Sequence, residues 1–132
     1  MDLVTKYAVV AIAFAGVDFI WLGFVANKFY RSQIGSLLLE KPNLTAAIAF
    51  YAVFLAGLIL FVINPALKAD DWKVALGLGS AFGLVTYATY DLTNLATLKG
   101  YTTTMTIVDI LWGVVLTSAV SVISFFVLSK VL

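Results

Sequence analysis

Four apolar segments divide this chain, running roughly from Val4 to Val25, Leu44 to Ile63, Val74 to Leu98 and Thr102 to Leu128. Each holds about twenty residues or more, and at a rise of about 1.5 Å per residue that spans a hydrocarbon core of about 30 Å. A buried helix of a soluble protein would show a polar face, and none of the four does. Composition points the same way, with 63% of the 132 residues hydrophobic and 11% charged, against about 45–50% and about 25% in ordinary soluble domains. Short connections make neighbouring helices antiparallel. The expected fold is all-α and integral to the membrane: an up-down four-transmembrane-helix bundle, a single transmembrane domain over residues 1–132.

The punctuation agrees with those boundaries. Lys41, Pro42 and Asn43 suit the opening of the second span, and Asn64 with Pro65 its close. Asp70 and Asp71 stand where the third helix begins, a place where carboxylates meet the helix dipole favourably. Lys99 and Gly100 close it. Gly77, Ser80 and Gly83 in the third span, and Gly113, Thr117 and Ser121 in the fourth, recur every three or four residues, a spacing that allows close helix contact in lipid. The first apolar run exceeds a signal-peptide core and lacks a small-residue cleavage site after it, so it reads as a retained span. The longest connection, Ala26 to Asn43, mixes Lys28, Arg31, Glu40 and Lys41 with Phe29, Tyr30, Ile34 and Leu37 to Leu39. It suits either a short amphipathic element at the interface or a solvated loop with apolar anchors.

Several chemistries are excluded together. With no Cys and no His, there are no disulfides, thiol nucleophiles, haem ligands or zinc sites of the usual kind. The reading calls for no cofactor and no metal ion. A net charge of +1 offers no basic stripe for nucleic acid. The expected partners are the lipid bilayer and a small lipophilic or cationic ligand.

Polar residues inside the apolar segments carry the functional signal. Asp91 lies in the third, with Tyr87 four residues before it, Asn94 three after, and Thr86 and Tyr90 beside them. A carboxylate near the middle of a bilayer costs about 2.5–3.5 kcal/mol by insertion scales, which makes it a functional-site hypothesis. Asp18 lies seven residues before the end of the first span, Asp91 seven before the end of the third, and Asp109 seven after the start of the fourth. In an antiparallel bundle all three then sit about 10 Å inside one face, and the sequence predicts a cluster. Trp21 follows Asp18 by three residues and Trp112 follows Asp109 by three, so each pair shares a helix face, while Tyr51 enters from the same side at similar depth. No Lys or Arg lies at that depth. Lys28, Arg31 and Lys99 stand at the mouth, from which long side chains can lean inward. Repulsion and desolvation disfavour three adjacent charges, so either at least one Asp is protonated or a cation enters. The plainer alternatives are that hydrogen-bonded Asp and Asn simply hold helices together, and that the two Trp belong to an interfacial belt.

Asp18-x-x-Trp21, the Tyr90-Asp91-x-x-Asn94 element and Asp109-x-x-Trp112-Gly113, in four spans over the whole chain, resemble the domain of unknown function 2177 family of small bacterial inner-membrane proteins. The resemblance implies a multi-pass location in the bacterial inner (plasma) membrane and carries no activity with it.

Three functions remain open. The first is binding or transport of a proton-coupled, cationic or lipophilic small molecule, with Trp21, Tyr51, Tyr87, Tyr90, Asn94 and Trp112 as ligand contacts supplying aromatic faces. The second is a membrane-embedded lipid- or isoprenoid-modifying enzyme of the acid-catalysed isomerase or cyclase type. There Asp91 is the first choice as acid, with Asp18 or Asp109 as its catalytic partner. A metal-dependent variant is disfavoured, because Mg2+ keeps several waters. The third is an accessory subunit of a membrane complex. Lys and Arg divide equally between the two faces, so orientation stays open and an antiparallel homodimer is compatible with the chain.

Overall fold

The computed structural model describes residues 2–132, and every regular element among them is helical. In order they are α1 (Leu3–Trp21), α2 (Asn27–Ile34), α3 (Leu44–Leu58), α4 (Asn64–Ala69), α5 (Trp72–Thr97) and α6 (Thr103–Phe126). Single π-helical stretches join α1 to α2 at Leu22–Ala26 and α3 to α4 at Ile59–Ile63, and another extends α6 through Val127–Val131. The result is four long rods. Three of them, Leu3–Leu37, Leu44–Ala69 and Thr103–Val131, are long and apolar enough to cross a membrane. The α5 rod matches them in length, but Tyr87, Tyr90, Asp91 and Asn94 and its threonines dilute its apolar character. It satisfies those threonines locally: Thr86, Thr89, Thr93 and Thr97 each donate to the carbonyl four residues earlier, at 2.5–2.8 Å.

Each rod starts from a side-chain cap that accepts one of the otherwise unpaired N–H groups of its first turn. Asp2 accepts from Thr5 N at 2.7 Å, Asn43 from Ala46 N at 3.1 Å, Asp71 from Lys73 N at 2.9 Å and Thr102 from Met105 N at 3.0 Å. Asp70, in the left-handed conformation with φ 49°, and Gly100, with φ 82°, turn the chain at two rod ends. Two expected boundaries move. The first span was expected to end near Val25, yet the helix continues to Ile34, because nothing between Trp21 and Ile34 breaks it except Gly23, which the wider π turn absorbs. Asn64 and Pro65 do not close the second rod either. The rod continues through a π turn that places Pro65 in the first turn of α4, a position that proline tolerates.

α5 and α6 make the closest pairing. A Cβ on Gly79 would come within 2.6 Å of Ser121 Oγ, one on Gly83 within 2.9 Å of Thr117 Cβ, and one on Gly113 would enter the Tyr87 ring. The contact therefore runs through Gly79 and Gly83. Gly77, expected in that stripe, has nothing within 4 Å, and Ser80 instead donates back to the Leu76 carbonyl.

Two apolar clusters bracket the middle of the molecule. The larger joins Val10 and Phe14 of α1 to Phe54, Leu58, Val62 and Ile63 of the second rod and Leu116 and Val120 of α6. The smaller packs Ile34 of α2 on Tyr101 and Met105, with Phe29, Tyr30 and Leu95 around it. α2 is tied to the start of α6 by Thr102 Oγ1, which donates to Gln33 Oε1 at 2.6 Å. α3 is buried only from Phe54 onward; Leu44, Ile48, Phe50, Tyr51 and Val53 are exposed, which leaves a cleft beside its first half.

Gly83→Leu is expected to lower stability by about 1–3 kcal/mol through overpacking, whereas Gly77→Ala should stay within about 0.5 kcal/mol of the parent. Reversible unfolding in mixed detergent micelles measures both.

Candidate functional site

Between the two apolar clusters the three rods carrying aspartates come together. Asp109, on the first half of α6, is 7% exposed and accepts from the Tyr30 hydroxyl at 2.7 Å. Tyr30 in turn accepts from Trp21 Nε1 at 2.9 Å. Trp21 and Trp112 stack with ring centroids 4.5 Å apart and planes 11° apart. Trp112 and Asp109 of α6 are neighbours of Asp18 on α1. Each Trp shares a helix face with the Asp of its own rod, and the indole of α1 reaches the carboxylate of α6 through Tyr30.

Asp91 is completely buried. The Tyr101 hydroxyl donates to its Oδ1 at 2.5 Å, and Oδ2 has no donor among the described residues. Burial first, and then the Asp91 carboxylate beside it, hold the Tyr101 phenol above its ordinary pKa, so it stays protonated and remains the donor. The Asp109 carboxyl on α6 lies near that of Asp91, with no hydrogen bond between the two. No Lys or Arg lies within ion-pair distance of any of the three aspartates among the described residues, where the ion pair formed is Lys130 with Asp70 at the opposite end.

Three cavities reach this region. A lateral cavity of about 290 Å³ opens between α3 and α5 and is lined by Phe50, Thr86, Tyr87, Tyr90 and Asp109. A mouth cavity of about 540 Å³ lies beneath α2 and the segment after it, and includes Asn27, Tyr30, Arg31, Glu40, Tyr90 and Asp109. A groove of about 370 Å³ between α1 and α3 holds Asp18, Phe14 and Tyr51, whose rings meet edge to face at 5.5 Å. Asp109 and Tyr90 are common to the first two cavities.

The expected site residues separate accordingly. Asp91, the first choice as acid, lines none of these cavities, and a ligand in the lateral or mouth cavity meets Asp109. Asp18 is reached from a different side. Asn94 is half-buried beside Tyr90 and Tyr101 and lines none of them. Of the three mouth cations, Arg31 lines the mouth cavity, Lys28 a shallow depression with Asn27, and Lys99 none of these. Tyr30 and Tyr101, the two phenols that hold Asp109 and Asp91, were not anticipated. Tyr30 lies in a stretch read as a connection, and Tyr101 follows Gly100, where sequence shows only a helix boundary.

Helical rods apolar enough to cross a membrane, enclosing a hydrogen-bonded set of carboxyl, phenol and indole groups, define a multi-pass membrane protein. The chain belongs to the family described as Predicted membrane protein (DUF2177), which matches residues 3–126. Comparison with curated proteins and with solved structures gives no significant match.

Tyr101→Phe is expected to cost about 1–3 kcal/mol, because it strips a buried carboxyl of its donor. In an Asp91→Leu background the same change should cost little, and a double-mutant cycle on unfolding free energies measures the difference.

Proposed function

We propose that this protein binds a lipophilic molecule, admitted sideways from the bilayer between α3 and α5 and presented to Asp109. The observation that carries the reading is the lateral cavity itself, whose walls are mostly apolar and whose floor is a single carboxyl group. Aromatic and apolar walls with one or two convergent polar groups are the usual form of a small-molecule site. In this reading α5 is the fourth span, its local threonine hydrogen bonds and its buried Asp91 making a less apolar helix tolerable in lipid, and the aspartates lie at membrane depth. The family's description as a predicted membrane protein supports a membrane location, and the bacterial plasma membrane is the one proposed here. Passage of a small cation across the chain is less well supported. Beyond Asp109 toward the start of α1, the space is filled by Val10, Phe14, Leu58, Leu116 and Val120, all buried, and the carboxylates do not continue in that direction among the described residues.

A catalytic reading of the same site is favoured by one specific feature, a buried Asp91 behind the Asp109 that the cavity exposes. Asp109 would serve as a general acid at the cavity, with Tyr101 fixing Asp91 behind it. Asp109 would deliver the proton to the ligand.

For binding, the full-length protein in nonionic micelles is titrated with the neutral probe pyrenyldodecanol, read by energy transfer from its Trp residues. Saturable binding is expected, weakened about tenfold, or ~1.4 kcal/mol, by Thr86→Phe. Equal affinities for parent and variant would refute the lateral site. For catalysis, total lipids from cells expressing the parent or Asp109→Asn are compared by mass spectrometry. A mass change seen only with the parent is expected, and identical profiles would leave binding alone standing.

A further inference from the structure

The mouth cavity carries two opposite charges that do not neutralise each other. Arg31 and Glu40 both line it, yet the ion pair among the described residues is Lys130 with Asp70, so the two are beyond ion-pair distance. The Arg31 guanidinium is oriented by its Nε, which donates to Asn27 Oδ1 at 3.0 Å. Its two terminal nitrogens have no side-chain acceptor among the described residues. A fork held in this way is matched to phosphate oxygens, which it can bind through two parallel N–H bonds. The cavity adjoins the lateral one at Tyr90 and Asp109, so a molecule occupying both passes from a charged vestibule to an apolar one.

Taking the lipophile-binding reading above as its basis, we propose that the ligand is a zwitterionic phospholipid. Its phosphate sits on Arg31, its ammonium faces Glu40, and its chain turns past Asp109 into the lateral cavity. Charge complementarity selects this head over simpler ones. A purely anionic head satisfies Arg31 but sets its charge against Glu40 and Asp109. A purely cationic head meets those carboxyls but is repelled by Arg31. A phosphoethanolamine-type head satisfies both ends of the vestibule, and its glycerol portion falls among Leu22, Leu38 and Met105. Asp109 then meets the upper part of the chain rather than the head.

The test uses the full chain in nonionic micelles with three pyrene-labelled probes: lysophosphatidylethanolamine, lysophosphatidylglycerol and pyrenyldodecanol. The ethanolamine lipid is expected to bind about tenfold more tightly than the glycerol lipid. Arg31→Gln should weaken both lysolipids while leaving the alcohol unchanged, and Glu40→Gln should abolish the preference between the lysolipids. Both positions are exposed, so loss of folding is not expected, and unchanged alcohol binding verifies that the site is intact. Equal affinities for the two lysolipids, or a preference that survives Glu40→Gln, overturns the inference while alcohol binding continues to support the lipophile site. Failure of all three probes overturns both.

Discussion

The contact between α5 and α6 is the constraint on which the rest of the structure depends. Gly79, Gly83 and Gly113 remove the side chains that would hold the two helices apart, and Ser121, Thr117 and the Tyr87 ring fill the spaces left. Small residues at this spacing let the two backbones approach to van der Waals contact. Asp91 lies about two turns beyond Gly83 and Asp109 about one turn before Gly113. The approach set by the glycines therefore brings these two carboxyls near one another, while each takes its donor from a tyrosine.

Around that pair the polar groups are distributed by rod. Tyr101, on the connection between α5 and α6, holds the inner carboxyl; Tyr30, on the extension of the first rod, holds the outer one. The stacked indoles of Trp21 and Trp112 join α1 to α6, and the Trp21 N–H stays on its own rod, donating to Tyr30, whose hydroxyl crosses to Asp109. This arrangement resists sliding of α1 along α6, because a shift of one turn would break the indole stack and the Tyr30–Asp109 bond together. α3 contributes little to it. Its first half remains unpacked, and that gap gives the lateral cavity its opening.

Much of the fold was legible in the chain. The four helical rods, three of them apolar enough to cross a membrane, the caps at Asn43 and Asp71 and the turn at Gly100 follow from local chemistry, and the rods begin within a few residues of where that chemistry places them. The apolar run ends near Val25, but the helix runs on as the short amphipathic α2, because loss of apolar character does not interrupt a backbone. Pro65 does not close its rod, because the effect of a proline depends on the turn that precedes it.

By itself the sequence determined that this is a helical membrane protein, since apolar length suffices for that, and residue counting along antiparallel rods raised the expectation of a carboxylate cluster. Only the tertiary structure decided which carboxyl a ligand can meet. Asp91 carries the densest polar surroundings in the sequence, yet it is sealed, while Asp109 opens to two cavities. The physical reason is that exposure depends on the rotation of each helix about its axis and on the gaps between rods. Side-chain size at distant contacts, here the glycines of α5 and α6, sets both.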